Sequence, residues 1–208
     1  MLADYARSSH ASVLVLLTSA ALLLSSSNVA RAGNGTRFTV VDSSPTSWVA
    51  RGYSDYTVSA ANGWTVEVER NFDNGVSFDF DGPPLPGTSV DYWDVEFAAP
   101  FEAEITPGFY PSFQRFPFQD SNRPGLGFHS TGRGDNRASG FFEVFEATYG
   151  PGGEVLSFSA DFTHYGEENT NNWAIVEIRY NVPEPTTAML LLFGVTAGGF
   201  SRRRRPER

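Results

Sequence analysis

Between residues 33 and 181, the side chains able to hold a metal or move a proton are two histidines, His129 and His164, among 21 carboxylates. Zinc sites gather three or four ligands, and their usual motifs bring histidines together at HxH or HExxH spacing. Neither spacing occurs here, and a zinc site would need a third ligand such as Glu167. The pattern predicts two ordinary histidines at the surface or at strand ends. Asp79, Asp81, Asp91 and Asp94 flank a proline-rich loop and are the oxygen donors a calcium site would draw on. The run Asn71-Phe72-Asp73-Asn74-Gly75 departs from the EF-hand loop, with Gly at the fifth place instead of the sixth and no Glu at the twelfth. The expected role of these acids is to face water from the outer side of strands. No metal and no cofactor is expected.

Other chemistry is excluded by what is missing. The chain has no Cys, which removes disulfides, thiol catalysis and zinc–thiolate sites. All 15 basic residues are Arg, so there is no Lys for a Schiff base or a phosphate loop. No GxSxG elbow is present. A glycosidase needs two carboxylates at a set separation, which a linear pattern does not give, so a hydrolase stays as an alternative. No catalytic residue is assigned, and the chain is expected not to be an enzyme. Residues 33–181 carry 21 acids against 8 arginines, a net charge of −13. Such a surface repels phosphate, so no nucleic-acid partner is expected. Arg133-Gly134-Asp135 spells a cell-adhesion tripeptide, but Gly132 to Asn136 reads as a turn. Exposed aromatic rings stack on sugars, and Trp48, Tyr53, Trp64, Tyr92, Trp93 and Trp173 are the candidates. Tyr92 and Trp93 are the chosen glycan contacts, because they follow the proline-rich loop.

The elements that must position these side chains are strands. Apolar residues alternate with polar ones in Thr65–Glu69, Val76–Asp81, Phe142–Val144 and Leu156–Phe158, and no sustained helical stripe appears. Trp173–Tyr180 is rich in β-branched and aromatic residues. Thr39–Val41, Tyr56–Ala60, Tyr92–Phe97 and Gly127–His129 complete a set of about nine or ten strands. Asn62-Gly63 and Asn74-Gly75 are hairpin signals, since both residue types accept positive φ. Gly150-Pro151-Gly152-Gly153 reads as a tight hairpin loop, and Asp81–Gly87 as a rigid loop. The expected fold is all-β, an antiparallel sandwich or jelly roll, with a closed barrel as the alternative. Residues 33–55 read as a loosely ordered leading segment. Phe113, Phe116 and Phe118 surround Pro117, so this stretch is expected at an edge, its rings plugging the sandwich end. Arg115 and Arg179 are each expected to pair with a carboxylate. A binding rim of Arg115, Gln119 and Arg133 is the functional alternative for this stretch.

Both ends of the chain carry addresses. Residues 1–32 follow the export pattern: a polar start with Arg7, an apolar helix-forming stretch from Ala11 to Leu24, and a small-residue site at Ala30-Arg31-Ala32. This apolar stretch of 14 residues falls short of a membrane span, so cleavage after Ala32 by the export machinery is expected. Residues 182–208 begin Val182-Pro183-Glu184-Pro185, continue through the apolar helix-forming run Thr186–Ser201, and close on Arg202-Arg203-Arg204-Arg205. The run is read as a short transmembrane helix in the inner membrane. The arginine cluster stays on the cytoplasmic side and leaves the domain facing outward.

A Pro-Glu-Pro, a short apolar helix and an Arg cluster, in that order, resemble the PEP-CTERM sorting signal of Gram-negative bacteria. The resemblance implies export through a translocon and cutting near Pro183-Glu184-Pro185 by an exosortase, a membrane transpeptidase. Delivery to the cell surface or an extracellular polysaccharide matrix follows from it. A second resemblance covers Asn71 to Asn181. Asn71–Val76, Arg115–Gln119, Pro124-Gly125-Leu126, Gly132-Arg133-Gly134, Ala160-Asp161-Phe162 and Ile178–Asn181 look like an uncharacterised β-rich bacterial domain attached to such signals. Members carry two cysteines where Asp135 and Tyr165 stand here, which implies a disulfide in those relatives.

Three functions follow as expectations. The first is a structural or adhesive sandwich delivered to the envelope or matrix. The second is a carbohydrate-binding module, marked by a ridge of coplanar exposed rings. The third is a hydrolase, marked by two carboxylates facing each other across a deep cleft.

Overall fold

A computed structural model describes residues 35–182. The signal segment with Ala30 and Ala32, and the tail from Pro183 through Arg205, lie outside the described residues.

Twelve strands form two six-stranded sheets packed face to face. The strands are β1 (Arg37–Ser43), β2 (Tyr56–Ser59), β3 (Thr65–Arg70), β4 (Val76–Asp81), β5 (Tyr92–Ala98) and β6 (Gly108–Pro111), followed by β7 (Gln114–Arg115), β8 (Gly125–Ser130), β9 (Arg133–Gly134), β10 (Ala138–Tyr149), β11 (Val155–Gly166) and β12 (Trp173–Tyr180). The first sheet runs β2-β1-β12-β11-β10-β6, and the second β3-β4-β5-β8-β7 with β9 also paired to β8. The sandwich is therefore as expected from the alternation. β6, β7 and β9 are additional to the expected set. They are two to four residues long, too short to show a period. The sheets are antiparallel except that β7 pairs parallel to β8.

Alternation fills the space between the sheets with aromatic rings. Trp93, Val95 and Phe97 of β5 point inward and are fully buried, as are Phe78 on β4 and Phe142, Phe158 and Phe162 on β10 and β11. Phe97 joins the sheets: its ring lies 5.2 Å from both Phe142 and Phe158 and 6.0 Å from Phe162. Burying each such ring stabilises the fold by about 2–3 kcal/mol through removal of apolar surface from water.

Three local expectations need correction. Residues 33–55 are not a loose leading segment. β1 lies between β2 and β12, with Phe38 and Val40 fully buried, and the following turn buries Val49 and Ala50. The short alternation of β1 was too brief to outweigh its polar surroundings. Asn62-Gly63 does not make a hairpin. Gly63, at φ 86°, ends a one-turn 3-10 helix over Ala60–Asn62 that carries the chain from one sheet to the other. Left-handed glycine serves a helix end as readily as a tight strand turn. Arg115 does not pair with a carboxylate in the way Arg179 does with Asp161, at 2.6 Å. It stacks on Phe118 at 4.9 Å and donates to the Asn136 carbonyl. Phe113 and Phe116 do plug the core, while Phe118 is 71% exposed beneath the guanidinium.

Asn74-Gly75 and Gly150–Gly153 make the expected loops. Asn71 Oδ1 accepts from the backbone N–H of Asp73 and of Gly75, closing the β3–β4 turn. A Cβ on Gly75 would fall 1.8 Å from the Phe97 carbonyl oxygen, so only glycine fits. The two ends of the domain meet. The Asn181 N–H donates to Thr36 Oγ1 at 3.1 Å, and a Cβ on Gly35 would lie 2.0 Å from the Val182 carbonyl oxygen.

Candidate functional site

The chosen glycan contacts do not form a platform. β5 begins at Tyr92, so the pleat turns Tyr92 and Trp93 to opposite faces. Trp93 is fully buried, stacked on Phe128 at 5.5 Å and packed on Phe38 at 4.8 Å. The expectation that it is exposed was wrong: β5 begins at Tyr92 as expected, but its pleat places Trp93 on the core side with Val95 and Phe97. Tyr92 is half-buried, and its hydroxyl donates to Asp94 Oδ2 at 3.0 Å. Burial, reinforced by the Asp94 charge, pushes its phenol pKa upward. Trp64 is buried as well, and exposed Trp48 is covered by the Arg133 guanidinium at 4.2 Å.

The acids do lie on the outer faces of strands, and the register concentrates them on the second sheet. Glu67 of β3 stands opposite Asp79 of β4, which stands opposite Asp94 of β5, which stands opposite His129 of β8. One row over, Glu96 faces Gly127, and Asp81 lies opposite both Thr65 and Tyr92. Of the four acids named for calcium, Asp79 and Asp94 are thus neighbours. Asp91 instead accepts from the Thr131 hydroxyl at 2.5 Å. No basic side chain other than His129 occupies this face of β3, β4, β5 and β8. The arginine ion pairs Arg70–Glu104, Arg137–Glu167 and Arg179–Asp161 all use other carboxylates.

Three side chains converge where this face meets β8. Asp94, Glu96 and His129 are each half-buried, and one oxygen or nitrogen from each lies within 4.8 Å of the others. His129 Nδ1 sits 3.7 Å from Asp94 Oδ2, too long for a hydrogen bond. Two glycines make room for this arrangement. A Cβ on Gly127 would lie 2.6 Å from Glu96 Oε2, and one on Gly134 would lie 2.4 Å from His129 Cδ2. Both side chains therefore lie down across glycine backbone. Burial, then the Asp94 charge, raises the Glu96 carboxyl to about 7. Burial and Asp94 also raise Asp79. His129 was visible in the sequence, but Glu96 was not singled out. The i, i+2 spacing of Tyr92, Asp94 and Glu96 gave the shared face, whereas the opposition of Asp94 to His129 needed the register.

The second histidine is in the core, contrary to the expectation of a surface or strand-end residue. His164 is 1% exposed, its ring 6.2 Å from Phe113 and 5.3 Å from Phe128. Its Nε2 lies 3.9 Å from Oδ2 of Asp135, itself buried. Burial drives the His164 pKa down to about 3, so the imidazole is neutral at pH 7. Burial, then Glu167, raises Asp135 to about 6. The adhesion tripeptide is consequently not presented. Arg133 lies over Trp48, and Asp135 is tucked against Gly166, one residue past Tyr165.

A groove of about 600 Å³ runs beside β6, the edge strand of the first sheet. Phe109, Phe141 and Tyr165 supply its rings, and Gln114, Arg123 and Glu168 its polar groups. The Phe109 and Phe141 rings are exposed, 5.7 Å apart and tilted by 43°, so they are not coplanar. The rim of Arg115, Gln119 and Arg133 is occupied internally. Gln119 donates to Asp73 Oδ2 at 2.6 Å, and Arg133 donates to the Trp48 carbonyl.

The sorting tail is read from sequence, since only Val182 of it falls among the described residues. A family model for the PEP-CTERM protein-sorting motif matches residues 181–205. No curated protein and no solved structure matches the chain. The match spans the Pro-Glu-Pro, the apolar run and the Arg cluster together. Following its sandwich domain in sequence, the chain thus carries a PEP-CTERM protein-sorting motif, which implies an exported protein with an exosortase as its processing partner.

Proposed function

We propose that this protein is a non-enzymatic structural or adhesive component, delivered to the cell surface or to an extracellular polysaccharide matrix after an exosortase removes its tail. The observation that carries the reading is the sorting motif at residues 181–205. The remainder of the chain is compatible with it. An all-β domain with a buried aromatic core and a strongly acidic exterior stays soluble and self-repelling outside the cell. In this reading the export signal ends at Ala32, and the short apolar helix holds the domain at the inner membrane until cutting near Pro183-Glu184-Pro185. The test is fractionation of the wild type beside a form with those three residues replaced by alanine. The wild type is expected in the outer or extracellular fraction at reduced size, and the variant in the inner membrane at full length. Equal size and distribution would defeat the reading.

Glycan binding is the second reading, moved to a different place. The groove beside β6 combines two exposed rings with Gln114, Arg123 and Glu168, the mixture of stacking and hydrogen-bonding groups that holds a sugar. A glycan array probed with the exported protein tests it: binding that Phe141→Ser abolishes supports the groove, and no binding at millimolar sugar removes it.

A further inference from the structure

We propose that Asp94, Glu96 and His129 form a binding site for one transition-metal dication of the zinc type, on the outer face of the second sheet. The first support is electrostatic. Glu67, Asp79 and Asp94 stand side by side on three adjacent strands, and like charges directly opposite each other destabilise a sheet. A bound dication at the end of that row turns repulsion into attraction. An acidic face alone would attract any cation weakly, and would need no imidazole.

The second support is the ligand set. His129 turns Nδ1 toward Asp94 Oδ2 at 3.7 Å, and the Glu96 carboxylate reaches the same point from the next outward position of β5. Ligands on one tetrahedral zinc lie about 3.4 Å apart, given metal–ligand bonds of about 2.1 Å. Atoms already within 4.8 Å of one another close to that spacing by small side-chain rotations. One nitrogen with two carboxylate oxygens suits zinc or a similar borderline metal better than calcium, which takes six to eight oxygens. Three protein ligands leave a fourth position open to water or a partner's donor.

The third support is how the ligands are held. Gly127 lets Glu96 lie flat, and Gly134 does the same for His129. The Tyr92 hydroxyl fixes the Asp94 carboxylate by a 3.0 Å hydrogen bond, as groups behind metal ligands commonly do. The site thus departs from the sequence-based expectation that no metal is bound, because cross-strand register, invisible in the chain, brings β5 and β8 together.

The experiment is equilibrium dialysis of the tag-free full chain in detergent against zinc, read by elemental mass spectrometry. Cobalt substitution gives a second readout through its visible absorption band. One zinc per chain at micromolar free metal is expected. His129→Ala and Glu96→Gln should each weaken binding at least tenfold and abolish the cobalt band, while Glu67→Gln changes affinity less than threefold. The isosteric Asp94→Asn, Glu96→Gln double variant serves if His129→Ala fails to fold, and it should bind no zinc. Absence of stoichiometric zinc in the wild type would overturn the proposal. So would zinc held equally by the ligand variants, or calcium bound there more tightly than zinc.

Discussion

The two histidines of the domain make a controlled pair. Each has an aspartate oxygen just beyond hydrogen-bond reach, at 3.7 Å for His129 and 3.9 Å for His164. His129 sits on the outer face, about a quarter exposed, at the end of a row of carboxylates. His164 sits between Phe113 and Phe128 with almost no contact with water. The same two side-chain types thus give a solvent-facing ligand pair in one place and a neutral packing element in the other. Proximity to an aspartate does not define a histidine's job. The cost of desolvating charge does.

The largest expected effect that tests this contrast is on stability. His164→Ala should lose about 3 kcal/mol or more in urea unfolding, because it empties a ring-lined site in the core. His129→Ala, with metal chelated, should stay within about 0.5 kcal/mol of wild type. Equal losses would break the comparison.

A pH series comes next. The Glu96 pKa in the fold, about 7, lies above its ordinary 4.5. Between those values the folded chain keeps a proton that the unfolded chain releases, so this group makes stability fall as pH rises. In chelator, Glu96→Gln should therefore stabilise by about 2 kcal/mol at pH 7.5, reduced from the full shift because the side chain still touches water, and by nothing at pH 4.5. His164 runs the other way. Its pKa falls from 6.5 to about 3, so its contribution is complete above 6.5 and is lost as the solution is acidified toward 3. A Glu96→Gln gain that is independent of pH would show that burial does not control the outer cluster.

Gly134→Ala should have a smaller effect. Its Cβ meets the His129 ring, a movable side chain, so the loss of stability should be under about 1 kcal/mol while zinc affinity drops severalfold. An unchanged affinity would mean that the ring's resting place is irrelevant. Least of all, Phe141→Ser on the exposed side of the first sheet should change stability by no more than about 0.5 kcal/mol, as measured by thermal melting.

Much of the fold could be read from local chemistry. Alternation in Val76–Asp81 becomes burial of Phe78 and Phe80 beside less buried Asp79 and Asp81, with Ser77 buried as an exception, and the β-branched and aromatic run Trp173–Tyr180 forms the strand it suits. Asn74-Gly75 announced its turn because positive φ and a steric limit coincide there. The parts that stayed hidden depend on pairing across the chain. β1 gains its place from β2 and β12, partners 16 to 22 and more than 130 residues away. Trp93 faces inward because it shares the core face of β5 with Val95 and Phe97, a choice of face that a one-residue slip in pairing would reverse. The outer cluster joins residues of β5 and β8 that no linear spacing connects. The sorting motif of the tail, by contrast, was legible, since its signal is contiguous and requires no register.

The meeting of Gly35 and Val182 has a mechanical consequence. The last strand is clasped on both sides, by β1 and β11, so severing the chain just behind it takes no rung from either ladder. Whatever a transpeptidase joins to that stump would hang the whole domain from a single corner, with traction passing into the middle of a sheet rather than fraying its border.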